Sequence, residues 1–185
     1  MRRPENLQRA GEDMKACDAN GLTEQAFLEA YRNKHYPAPY LTADVALLST
    51  DGRVLLIRRK GHPYLGCLAL PGGFVNPDES AKDAALRELS EETGVALAEA
   101  DLHEIGLFSK PGRDPRGWIV SDAFFAVVDG NAVTVSAGAD AADAEWIPAV
   151  RNGDAIVLPA GERLAFDHEE MLERALAIYE GMRKE

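Results

Sequence analysis

The chain has 185 residues, room for one well-cored domain and a short extra arm, so a single active site is expected. Hydrophobic residues at 46% and charged residues at 28% exclude collagen-like, disordered and disulfide-scaffold classes. A net charge of -11 repels long nucleic acids but leaves open a small phosphorylated ligand, because divalent metals reverse the sign of an acidic patch. Cys17 and Cys67 stand outside any C-x-x-C pattern, which excludes a zinc cage or disulfide framework and fits a reducing cytoplasm. No apolar stretch near the N-terminus could serve as a signal-peptide core, and none approaches the roughly 20 apolar residues of a membrane span.

Residues 1–38 are mixed in charge and predict a helix over Thr23–Tyr31, with Thr23 as N-cap and Phe27, Leu28 and Tyr31 at helical spacing. From Leu41 the period changes. Val45, Leu47 and Leu48 read as a strand, Asp51-Gly52 as a hairpin turn, and Val54–Ile57 as its partner. A third strand at Cys67–Leu70 runs into Pro71-Gly72-Gly73. Asn76-Pro77-Asp78 then opens a helix from Glu79 to Thr93, closed by Gly94. Later strands are expected at Leu102–Ser109, Ile119–Val128 and Glu145–Ile147, and a final helix at Glu169–Met182. Hairpins mixed with two or three helices predict an α/β sandwich with a mixed β-sheet.

On the central helix, Ala81, Ala84 and Ala85 form an inward small-residue face, which Glu88, Glu91 and Glu92 are expected to continue. Like charges at i, i+3 and i+4 destabilise a helix and raise carboxyl pKa values, so the pattern makes sense when cations sit among them. An all-oxygen donor set suits Mg²⁺ or Mn²⁺ rather than Zn²⁺.

Gly73, Glu79, Arg87-Glu88-Leu89, Glu91-Glu92 and Gly94-Val95 fill nine fixed positions across 23 residues and resemble, without departure, the signature box of the Nudix hydrolases. The resemblance implies the Nudix α/β/α sandwich with a mixed β-sheet over residues 39–185, with residues 1–38 as an N-terminal helical arm outside it. It implies metal-dependent hydrolysis of a nucleoside diphosphate linked to another moiety. Glu88, Glu91 and Glu92 would bind the metals, and the Gly72 carbonyl would add another oxygen. Gly73, Glu79 and Arg87 would be structural supports, a Glu79–Arg87 salt bridge locking the loop against the helix. Glycines at 72 and 73 allow close backbone approach.

Pro111 lies 16 positions beyond Val95, and Gly112-Arg113-Asp114-Pro115-Arg116-Gly117 follows it; both features resemble the ADP-ribose pyrophosphatase subfamily. That likeness implies cleavage of ADP-ribose to AMP and ribose 5-phosphate. Oxidised nucleoside triphosphates or dinucleoside polyphosphates are the alternative substrates, and a non-catalytic ADP-ribose-sensing regulator is a reading of another class. Arg113 and Arg116 offer planar donors to a diphosphate or ribose, or else pair with Asp114. Of Arg58 and Arg59, strand alternation lets only one face the site. Asp140, Asp143 and Glu145 are the candidates for a catalytic base, Asp143 fitting best by the resemblance. Leu68 departs from the family, where an aromatic is usual, and bears on the pocket wall. Asp167-His168 reads as a cap of the last helix, and Trp118 and Trp146 as core or as adenine platforms. The expected partner is a small nucleotide, with neither a nucleic-acid polymer nor a membrane. A homodimer built through the N-terminal arm is an assembly the likeness allows.

Overall fold

The computed structural model of the protein describes residues 17–136, 138, 141–152 and 155–184, so Asp140 lies outside the described residues. By its contacts the chain divides into two units, Met1–Ala38 and Pro39–Glu185. In the described part of the first unit, helix α1 spans Glu24–Arg32, and the Thr23 side chain caps it by accepting from the Ala26 N–H. Phe27 stacks on Tyr31, which in turn meets Tyr36.

The second unit opens with β1 (Tyr40–Ser49) and β2 (Arg53–Arg59), an antiparallel hairpin that turns at Asp51-Gly52, where Gly52 takes a φ of +86°. Then come β3 (Leu68–Ala69), β4 (Gly72–Phe74), α2 (Ala81–Thr93), β5 (His103–Phe108), β6 (Ile119–Val128), β7 (Ala141–Pro148), the ribbon β8 (Val150–Asn152) and β9 (Ala155–Val157), and α3 (His168–Met182). The main sheet runs β3-β2-β1-β6-β5, with β4 paired to β1 and β7 to β2. Among the strand pairs of the main sheet in the described residues, β1 and β6 run parallel and the others antiparallel, so the sheet is mixed, as the hairpin-and-helix pattern predicts.

Alternation along β1 splits the core in two. Ala46 and Leu48 join Val54, Leu56, Phe125, Met171 and Leu172 under α3. Val45 and Leu47 join Leu55, Phe124, Ala84, Ala85 and Leu89 under α2. The result is an α/β/α sandwich with a hydrophobic core on each face of the sheet. Each fully buried side chain such as Phe125 contributes about 1.5–3 kcal/mol by leaving water.

Three sequence expectations need correction. Helix α2 starts at Ala81, two residues past the expected start at about Glu79: the Asn76–Glu79 turn forms, and the cap follows it, Ser80 accepting from the Asp83 N–H while the Asp83 carboxylate accepts from the Ser80 N–H. Strand β4 and the β8–β9 ribbon occupy stretches with no strand pattern of their own; β4 forms because β1 extends to Tyr40 and offers it an open edge. Leu68 is fully buried, pairs with Arg58 and bridges to Leu164, so it belongs to the core and not to a pocket wall.

Ser80→Ala removes one half of the reciprocal cap and is expected to cost about 1 kcal/mol. Urea unfolding of the two proteins, compared at equal m-value, measures it.

Candidate active site

Helix α2 delivers its carboxylates unequally. From Ala85 the buried row steps by four to Leu89 and by three more to Glu92, so only Glu92 continues the inward face. Glu88 is half-buried, and the Glu91 side chain remains 60% exposed. The expectation that all three face inward is thus corrected: Leu89, not Glu88, holds the core position.

Glu92 accepts the Gly72 N–H at 2.9 Å and has no salt-bridge partner among the described residues. Burial first, and then the charges of Glu88 and Asp44, push its carboxyl up to about 8 against the opposing Gly72 hydrogen bond. The glycine loop makes this approach possible. A Cβ on Gly72 would collide with Asp44 and with the Ala43 carbonyl, and one on Gly73 would lie on the Glu88 carboxylate.

Arg87 ties loop and helix together. Its guanidinium binds Glu79 through two donors at 3.0 and 2.6 Å and donates to the Phe74 carbonyl at 3.0 Å. It also reaches Glu88 at 2.7 Å and Glu91 at 3.4 Å. Glu79 also accepts the Asn76 N–H, and the Arg87 bonds first and this one second hold its carboxyl down at about 2.

The set fits a hard divalent cation in donor chemistry, since every candidate ligand is an oxygen and Glu92 is a buried carboxylate lacking a counter-charge. Among the described residues no three acidic, histidine or cysteine side chains stand in ligating geometry. Arg87 is the reason for Glu88 and Glu91, because it holds both carboxylates toward itself. A cation would have to exchange places with that guanidinium.

Beside the loop that bonds Glu92 opens a small cleft lined by Asp44, Arg59, Gly72, Gly73, Arg116 and His168 among others. Asp44 went unnoticed in the sequence, although an acid inside the apolar run Leu41–Leu48 was a visible signal, and His168 was read there only with Asp167 as a cap of the last helix. Asp44 is buried, accepts from the Ser121 hydroxyl, and has the His168 Nε2 at 3.7 Å. His168 Nδ1 accepts the Leu70 N–H at 2.9 Å, and burial pulls its pKa down, leaving the ring neutral with its proton on Nε2.

The four predicted arginines separate. Arg59 lines the cleft, donates to the Pro63 carbonyl at 2.9 Å and makes no ion pair among the described residues. Arg58 points away, bound to Glu162 at 2.9 Å and Glu145 at 3.3 Å, as strand alternation requires. Arg113 lines the cleft but is spent on Asp167 at 2.6 Å. That bond also corrects the expected cap, since Asp167 makes no side-chain cap bond to α3. Arg116 lies at the cleft and pairs with buried Asp114 at 2.6 Å; burial works to raise the Asp114 carboxyl, but these hydrogen bonds outweigh it and leave it low.

The expected base, Asp143, is exposed, accepts its neighbour Ala144's N–H at 2.9 Å and is not among the cleft residues. Glu145 is engaged by Arg58. Trp118 is exposed, and Trp146 packs against the core under α2, with Arg53 over its ring.

A sandwich that aims glutamates at a glycine loop, beside a cleft holding an unpaired guanidinium, is laid out for a phosphorylated substrate and hard cations. Comparison with known proteins agrees. Residues 39–168 match the family model described as NUDIX domain. The ADP-ribose pyrophosphatase of Methanocaldococcus jannaschii is 40% identical over 145 residues, which are 78% of this chain and 76% of that protein. The ADPR responsive transcriptional repressor NtrR of Acinetobacter baylyi is 35% identical over 163 residues, 85% of this chain and 61% of the repressor. Among solved structures, the NUDIX domain of Shewanella oneidensis NrtR complexed with ADP ribose is similar with a TM-score of 0.70 at 30% identity, over 85% of this chain and 99% of that one. The chain belongs to the Nudix family and is a Nudix hydrolase. Nudix hydrolases use divalent metal ions.

The Glu92 environment sets a pH dependence. With a folded-state pKa near 8 against an ordinary 4.5, the folded chain keeps a proton that the unfolded chain releases, so cation-free stability falls as pH rises through that window. In EDTA the melting temperature of the parent protein is expected to fall across this range more steeply than that of Glu92→Gln. Parallel profiles for the two would contradict the burial of an uncompensated Glu92.

Proposed function

We propose that the protein hydrolyses ADP-ribose to AMP and ribose 5-phosphate, using Mg²⁺ or Mn²⁺, as a cytoplasmic enzyme acting on a small nucleotide. The observation that carries the reading is a guanidinium in the cleft, Arg59, with no acidic partner among the described residues, and a buried carboxylate, Glu92, with no basic one among them, bonded to Gly72 of the cleft lining. Arg59 has spare donors for an anion, and Glu92, which burial keeps protonated, is a carboxyl that a bound cation would ionise. A diphosphate bridged by divalent cations satisfies both at once. The pyrophosphatase of M. jannaschii supports the choice of ADP-ribose among diphosphates, as does the ADP-ribose complex of the NrtR domain.

In this reading Glu88, Glu91 and Glu92 hold the cation, with the Gly72 carbonyl at the loop edge. When bound, the cation lowers the pKa of water and neutralises charge on the phosphoryl oxygens. Glu79 and Arg87 fix the loop against α2, so that the backbone at Gly72 and Gly73 keeps its distance from the carboxylates. Arg59 and Arg116 hold the diphosphate from the opposite side of the cleft. Arg113 braces the wall through Asp167. Asp143 and Arg58 have no part in this reading: Asp143 is exposed and accepts the Ala144 N–H, and Arg58 is held by Glu162 and Glu145. The proton of the attacking water passes to a carboxylate of the α2 set; Glu91, the most exposed of the three, has the open route to solvent.

A second reading is favoured by the A. baylyi repressor: the same cleft would bind ADP-ribose without cleaving it. Chromatography of products after incubation with ADP-ribose, with and without Mg²⁺ or Mn²⁺, separates the two. AMP formed only with metal is the expected outcome; tight binding with no AMP would transfer the function to ligand sensing. Glu91→Gln and Glu92→Gln are expected to abolish turnover. Arg87→Gln is expected to lower metal affinity or activity by about 10–100-fold. Arg59→Ala is expected to raise KM roughly tenfold or more while sparing metal affinity.

A further inference from the structure

Two bulky residues of the second unit hold a left-handed backbone: Tyr64 at a φ of 61° and Phe166 at 52°. For aromatic side chains this conformation is disfavoured, and such strain persists only where surrounding contacts impose it. The two residues come from separate segments, one between β2 and β3 and the other just before α3. Their rings nevertheless meet edge to face, with centroids 4.8 Å apart.

Phe166 lines the cleft and carries two cations. The Arg59 guanidinium lies 4.9 Å from its centroid and that of Arg116 lies 5.3 Å from it, while Arg116 is also 5.1 Å from the Phe74 ring. Both cations fall within the range in which a ring face attracts them. They also repel each other: after burial, the charge of Arg116 is the next cause pulling the Arg59 pKa down. Two like charges sharing one ring are costly without an anion. Asp114 pairs with Arg116, but no acid pairs with Arg59 among the described residues.

We propose that Phe166, buttressed by Tyr64, is a positioning residue that holds Arg59 and Arg116 as a two-point clamp for adjacent phosphoryl groups, so that the cleft selects a diphosphate over a monophosphate. The inference rests on the cleft being the substrate site and names what sets its preference. A ring in contact with both guanidiniums holds Arg59 off the carboxylates of Asp44 and Glu92, whose charges that guanidinium senses. It also fixes the planes of two forks that bind phosphate bidentately. A ring that served only as filler would gain nothing from a strained backbone, since another rotamer or residue could fill the space without it.

The test is calorimetric binding of ADP and of AMP to the full chain in EDTA, which removes the cation's own preference for diphosphates. The parent protein is expected to favour ADP by about tenfold or more, by two charge-assisted contacts against one. Phe166→Leu is expected to lose most of that preference and Phe166→Tyr to keep it. Phe166→Gly, which accepts the positive φ without strain, should lose the preference with little loss of melting temperature; this separates positioning of the arginines from support of the fold. An unchanged ADP to AMP ratio in Phe166→Leu or Phe166→Gly, or no preference in the parent protein, overturns the proposal. ADP-ribose left intact while the ratio still follows Phe166 would reject the proposed reaction and leave the clamp standing. Turnover of ADP-ribose with no dependence of the ratio on Phe166 would do the reverse.

Discussion

The site hangs on the burial of one carboxylate. Ala84, Ala85 and Leu89 must face the sheet for α2 to pack, and helical pitch then carries Glu92 inward with them. Removing an ionised carboxylate from water costs several kcal/mol unless hydrogen bonds and counter-charge repay it. The Gly72 N–H supplies one bond at 2.9 Å, and it can do so only because β4 pairs with β1 in the register that sets Gly72 opposite Asp44. A side chain at Gly72 would break that register, and one at Gly73 would displace Glu88. Helix pitch, strand register and the two glycines are therefore a single constraint, and it leaves Glu92 buried with one hydrogen bond and no counter-charge among the described residues.

Arg87 keeps that constraint from tearing the helix. Three glutamates within two turns repel one another, and an isolated helix would fray. The guanidinium draws Glu88 and Glu91 to itself and anchors to Glu79 and the Phe74 carbonyl. It acts as an internal counter-ion to the two glutamates, and because it reaches the loop as well as the helix it also holds the glycine backbone in place.

Much of this was legible from the residues. Period and turn chemistry located the β1–β2 hairpin, β6, and helices α1 and α3, because each carries its own signal: Thr23 as a cap, Gly52 in the turn, an apolar run at 119–128. The box residues fixed α2 and its partner loop. Four features were hidden because they are tertiary. The inward position of Leu89 rather than Glu88 depends on which way the helix rolls against the sheet. The strand character of Gly72–Phe74 exists only where β1 offers an edge. Asp44 looked like an interruption of an apolar strand, and its value appears only once β6 brings Ser121 and α3 brings His168 beside it. The positive φ of Tyr64 and Phe166 leaves no trace in composition at all.

The arginines show why counting cations in a sequence overstates anion binding. In a chain with a net charge of -11, acids compete for every guanidinium. Glu162 and Glu145 take Arg58, Asp167 takes Arg113, and Asp114 takes Arg116. Arg59 escapes because its environment offers a carbonyl and an aromatic ring in place of a carboxylate. Its desolvation weakens its hold on a proton, and an anion arriving in the cleft restores it. Anion binding in this cleft would therefore rest on Arg59, out of reach of these acids, and on what the bond to Asp114 leaves free of Arg116.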